Sequence, residues 1–127
     1  MAIQINIDKL QTYFKGGGYG PKITAFNPNK TVRIDRQNIE YLNNGNAEVF
    51  AIVVSFDEEQ QLLVISKADE KYRLSYNVGA TGVVSMSGAL NQFGINVSEE
   101  EIDLYETETD IVEGLGSCVI IHMSKKL

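Results

Sequence analysis

The chain reads as a mainly β fold with short helices, in which two similar β-β-α-β-β units pack as a pseudo-dimeric small barrel. Three observations predict it. Apolar runs of strand length alternate with Gly, Asn, Asp and Pro clusters. Two short helical stretches begin at Asp35 and Ser87 and stop at Asn or Gly. Finally, the order of elements after residue 21 occurs twice.

Residues 1–21 stand apart as an N-terminal strand or helical turn followed by a Gly-rich linker. Ile3, Ile5 and Ile7 alternate with Gln4 and Asn6, a period of two. Asp8 is suited to cap a helical turn over Lys9 to Phe14. Gly16, Gly17, Gly18, Gly20 and Pro21 then exclude regular structure.

The duplicated β-rich domain covers 22–124. In the first copy, 22–68, Lys22 to Phe26 is extended, Asn27 to Lys30 turns, and Thr31 to Ile34 is a second strand. Asp35 caps a helix to Leu42, with Ile39 and Leu42 on one face, and Asn43-Asn44-Gly45 ends it. Val49 to Phe56 and Leu62 to Ile65 form a hairpin around Asp57-Glu58-Glu59.

In the second copy, 71–124, Tyr72 to Tyr76 is extended, Asn77 to Gly82 is a loop, and Val83 to Met86 is a strand. Ser87 caps a helix carrying Leu90 and Phe93, stopped by Gly94. Glu101 to Tyr105 and Cys118 to Met123 are strands of a hairpin that turns through Gly114-Leu115-Gly116. Val32 matches Val84 at a spacing of 52 and Leu42 matches Phe93 at 51. One copy has too few residues to close a core, whereas two can bury their helices against a common barrel. The expected core is Val32, Ile34, Ile39, Leu42, Val53, Val64, Val84, Leu90, Phe93 and Ile120.

Residues 23–65, with Asn29-Lys30-Thr31-Val32-Arg33-Ile34-Asp35-Arg36 leading into a short helix and a hairpin, resemble the AbrB-like module of bacterial transition-state regulators and antitoxins. The resemblance implies a swapped-hairpin barrel, here made by one chain, in which basic residues around the first turn, second strand and helix start contact DNA. By position it puts DNA contacts on Lys30, Arg33 and Arg36, with Lys22 nearby. The chain departs from the family in lacking a proline where the second strand enters the helix. The second-copy turn, Asn77 to Gly82, also carries no base.

Charge divides the chain. Residues 1–36 hold six bases and two acids, +4, and residues 37–127 hold five bases and fifteen acids, −10. Only the N-terminal third suits an anionic partner, because phosphate attraction dominates non-specific nucleic-acid binding. Glu106, Glu108 and Asp110 alternate, so an extended chain puts all three on one face. They suit a basic protein partner bound through 99–113, or an oxygen-loving divalent cation; most such runs are solvated surface. The segment Gly16 to Gly20, with Tyr13, Phe14, Lys15 and Tyr19 near it, offers stacking to single-stranded nucleic acid, but a flexible linker accounts for it more simply.

The single cysteine, Cys118, lies in an apolar run and reads as a buried small hydrophobe. His122, the single histidine, has no partner motif, and no GxSxG, HExxH or CxxC pattern occurs. The expectation is therefore a non-enzymatic protein with no catalytic residues, metal or cofactor. The first reading is a small DNA-binding regulator of AbrB-like type acting on duplex DNA. The alternative is an acidic interaction module of a bacterial or mobile-element factor. No run is long enough to span a membrane and the N-terminus lacks a signal pattern, so a cytoplasmic place is expected; an oligomer is compatible with either reading.

Overall fold

A computed structural model describes residues 3–9, 19–69 and 75–127. Residues 3–6 belong to no strand, a 3-10 turn spans Ile7–Lys9, and Ile3, Ile5 and Ile7 are 88%, 62% and 80% exposed. Most of the Gly16 to Gly20 stretch and of the Tyr72 to Tyr76 strand lies outside the described residues.

Eight strands and two helices follow: β1 (Ile23–Phe26), β2 (Thr31–Arg33), α1 (Arg36–Leu42), β3 (Phe50–Asp57), β4 (Leu62–Lys67), β5 (Tyr76–Val78), β6 (Val83–Ser85), α2 (Ser87–Phe93), β7 (Asp103–Val112) and β8 (Gly116–Lys126). All eight strands join one antiparallel sheet in the order β5-β3-β4-β8-β7-β1-β2-β6. The end strands β5 and β6 lie beside each other, so the sheet all but closes into a barrel. Near-closure shortens the edges that could template aggregation.

Local chemistry explains the elements. Asn29 shapes the β1–β2 turn: its Oδ1 accepts from the Thr31 backbone N–H at 3.2 Å and from the Thr31 hydroxyl at 2.6 Å. Lys30 completes it with φ of 63°, a conformation uncommon outside glycine. Asp35 caps α1 as expected, its Oδ2 accepting the Gln37 N–H at 2.9 Å. Ser87 does not cap α2. It is the first helical residue, Met86 precedes it, and no side chain caps that end. Gly94 stops α2 in the left-handed conformation, φ 71°.

Residues 77–82 are not all loop, because Asn77 and Val78 pair with Ala51 and Phe50. The Asn and Gly residues there mask a three-residue strand. The strand beginning near Glu101 continues to Val112, since its alternation of carboxylates and threonines is a strand pattern with one wet face.

The barrel is filled by Phe26, Val32, Ile34, Ile39, Leu42, Ile52, Leu63, Ile65, Val84, Met86, Leu90, Val119 and Ile121. Of the expected core, Val53, Val64 and Phe93 are only half-buried. In β3 and β4 the inward residues are Ile52, Leu63 and Ile65. Both parities of those strands are apolar, so composition alone leaves the phase open. Phe93 instead stacks on Phe56, ring centroids 5.5 Å apart.

Asp103 anchors the base of β7. It is 5% exposed, Lys126 Nζ donates to its Oδ1 at 2.9 Å, and the Ser98 N–H donates to its Oδ2 at 3.2 Å. The hydrogen bond from Lys126 holds the Asp103 carboxyl below the ordinary aspartate range, aided by Ser98 and opposed by burial. A carboxyl with a depressed folded-state pKa adds stability that is present above its unfolded value and lost as pH falls through the folded one. Urea midpoints of the native chain should therefore fall on acidification below about pH 4, and Asp103→Asn should flatten that part of the curve. Equal slopes for the two would remove Asp103 from the account.

Candidate functional site

The four cations expected at a DNA contact lie along one ribbon and do not meet at a point. Lys22 precedes β1 and Arg36 opens α1, both near one end of the β1–β2 ribbon, while Lys30 occupies the turn at the other. Arg33 lies between them on β2, opposite Ala25 on one side and Val83 on the other, and faces away from the buried Val32 and Ile34. Two of the four are engaged within the chain. Lys30 Nζ donates to Asn91 Oδ1 at 2.7 Å, and Arg36 Nε pairs with Glu40 Oε1 at 3.0 Å. Among the described residues Lys22 and Arg33 have no ion pair.

Directly beside this ribbon, β6 places Val83 opposite Arg33 and Ser85 opposite Thr31. Neither of these β6 residues carries a charge.

Glu106, Glu108 and Asp110 do share the outer face of β7, and all three are exposed. Side chains of β8 reach two of them. Lys125 Nζ is 3.2 Å from Glu106 Oε2, and His122 Nε2 is 3.4 Å from Glu108 Oε2. Asp110 Oδ1 accepts the N–H of Ile111 at 2.8 Å. Among the described residues no group of three His, Cys, Asp or Glu is placed to hold a metal ion.

Cys118 is fully buried, and burial pushes its thiol above the ordinary cysteine range, the opposite of an activated nucleophile. It lies on the same face of β8 as Ile120 and His122.

Sequence reasoning missed a groove of about 630 Å³ between α1 and β7. Gln37, Asn38 and Tyr41 form one wall, Glu106 to Thr109 the other, and Pro21, Lys22 and Lys125 complete it. Asn38 is 2% exposed and its Nδ2 donates to the Pro21 carbonyl at 2.8 Å, tying the chain before β1 to the helix. Beneath it the hydroxyls of Thr24 and Thr107 share a buried hydrogen bond of 2.7 Å. The signal available in the sequence was Asn38 itself, a polar residue on the apolar side of α1 beside Ile39.

Compared with known proteins, the chain matches no family model, no curated protein and no solved structure. Among the described residues no helix is long and apolar enough to cross a membrane.

Proposed function

We propose that the chain is a non-catalytic DNA-binding regulator of AbrB-like type, whose two copies form a pseudo-dimeric swapped-hairpin barrel. The observation that carries this reading is the strand order. Exchanging β1 with β5, β2 with β6, β3 with β7 and β4 with β8 returns the ring β5-β3-β4-β8-β7-β1-β2-β6 to itself. Each hairpin of one copy is then flanked by strands of the other, as swapping requires. Two pairings join a strand to its own counterpart, β2–β6 and β4–β8, and the first is centred on Val32 opposite Val84. Those are the residues that match between copies at a spacing of 52. A groove lined by Val54, Ser75, Tyr76, Gly88, Ala89, Gln92 and Phe93 further supports the reading, since it corresponds to the groove between α1 and β7.

On this reading duplex DNA meets the β1–β2 ribbon through Lys30, Arg33 and Arg36, with Lys22 at the margin. Arg suits bidentate contact with a phosphate or a guanine edge. The contact is one-sided, because Val83 and Ser85 replace the bases on the second copy. With −10 on residues 37–127, binding is weak and strongly dependent on salt. A salt titration of duplex binding tests this. The native chain should bind at low salt, and Arg33→Ala with Arg36→Ala should lower the slope by about 0.9 for each phosphate that is no longer neutralised. Equal slopes would overturn the site.

A second reading is favoured by the exposed row Glu106, Glu108 and Asp110: an acidic module of a bacterial or mobile-element factor that binds a basic protein through 99–113. If the native chain fails to bind DNA at low salt, this reading replaces the first.

A further inference from the structure

The wall of the barrel is incomplete beside the groove. β1 pairs with β7 from Asp103 to Glu106, and the Thr107 N–H donates to the Lys22 carbonyl at 2.8 Å. Pro21 then carries no donor, and its carbonyl is turned to Asn38. Beyond Thr107, β7 continues to Val112 with no strand beside it on that side among the described residues. The backbone groups of Thr109 and Ile111 have the same parity as Thr107, so they point to this open side. Ile111 is 72% exposed.

The same chain carries a segment with the complementary pattern. Ile3-Gln4-Ile5-Asn6-Ile7 is uncharged, alternates with period two, and leaves its isoleucines 88%, 62% and 80% exposed. Three large apolar side chains in water on one short segment are unfavourable unless something covers them.

We propose that Ile3 to Ile7 of a second copy of this chain adds to the open edge of β7, and that two chains exchange these arms to form a dimer. In an antiparallel register, Ile5 lies opposite Thr109 and Ile3 opposite Ile111, and Ile7 stops short of Thr107, whose edge position Lys22 already holds. That register puts the isoleucines on the face of β7 that carries Thr107 and Thr109, both of which line the groove. Gln4 and Asn6 fall on the other face, where their amides meet Asp110 and Glu108. Direct pairing of two β7 edges is disfavoured, because it brings Glu108 and Asp110 of both chains together. Among the described residues the isolated chain leaves both its arm and its edge open, so a second copy is what covers them, and reciprocal exchange satisfies both chains at once. The one bond in the way is local: the Ile111 N–H is held by Asp110 Oδ1.

Sedimentation of the full chain over a concentration series, with a mixed cross-linking experiment, tests the exchange. A reversible dimer is expected. Each of Ile3→Ser and Ile5→Ser should raise its dissociation constant about tenfold or more without altering the circular dichroism of the monomer. Asp110→Ala, which frees the Ile111 N–H, should strengthen the dimer. When an Ile5→Cys chain is mixed with a Thr109→Cys chain, a disulfide should join the two different chains. A native chain that stays monomeric at all concentrations overturns the proposal. So does a dimer indifferent to the Ile3→Ser and Ile5→Ser substitutions, or a mixture in which no disulfide joins the Ile5→Cys chain to the Thr109→Cys chain.

Discussion

Gly82→Ala is expected to cost roughly 3–5 kcal/mol of folding free energy, enough to remove much of the stability of an ordinary domain. Gly82 has φ of 68°, and a Cβ built on it collides with the carbonyl oxygen of Ile34. No side-chain rotation relieves that contact, because the obstructing atom is backbone. The same stretch is where the sheet needs close approach: the Ile34 N–H donates to the Gly82 carbonyl at 2.8 Å, extending the β2–β6 pairing past its last ladder residue. Opening the clash therefore strains or breaks the junction between β2 and α1. Gly94→Ala is the control. It also has positive φ, 71°, but open space surrounds its would-be Cβ, so only the conformational cost of about 1–2 kcal/mol applies. Thermal or urea unfolding of the two variants side by side measures the difference; equal losses would mean that the approach of Gly82 to Ile34 is not what matters.

Phe26→Ala is expected to cost about 3–5 kcal/mol through the burial it forfeits and the cavity it leaves. Phe26 is fully buried at the end of β1, opposite Val32 on β2 and Asp103 on β7, and its ring meets the Tyr105 ring edge-on at 5.0 Å. The neighbouring Tyr105 is itself buried, which pushes its phenol above the ordinary range. Phe26 belongs to the first half of the chain and Tyr105 to the second, so the cavity opens in a core that both halves fill. Urea unfolding should show one transition shifted as a whole. A variant in which only one half melts early would contradict a shared core.

Much of this architecture is legible in the sequence because local chemistry and long-range packing agree. Asp35 before Ile39 and Leu42 announces α1 by capping and by apolar spacing, and both are found. Gly94 after Phe93 announces the end of α2 for the same reason. Strand phase is not legible in Ile52-Val53-Val54 or Leu62-Leu63-Val64-Ile65. There every residue is apolar, and only the neighbouring strands decide which side turns inward. The start of α2 misleads because Ser87 has the chemistry of a cap, whereas the backbone places Met86 in that position with its side chain in the core. The groove between α1 and β7 is out of reach for a different reason. Its walls come from residues near 21, 38 and 107, which nothing but the tertiary fold brings together. The basic row from Lys30 to Arg36 is visible as composition, but its engagement with Asn91 and Glu40 depends on where two helices end and begin.

The pairing of β1 with β7 also bears on how the chain acquires its structure during synthesis. Thr24 and Thr107, which share a buried hydrogen bond, are 83 residues apart in sequence. The first hairpin therefore has no neighbour on its β7 side until most of the polypeptide has been made, and the β3–β4 hairpin waits as long for β8. Contacts of such span are entropically costly to close and slow to form. The first half is thus obliged to remain incomplete on the ribosome, with the inner faces of β1 and β4 uncovered, and the barrel is sealed only when the last hairpin emerges.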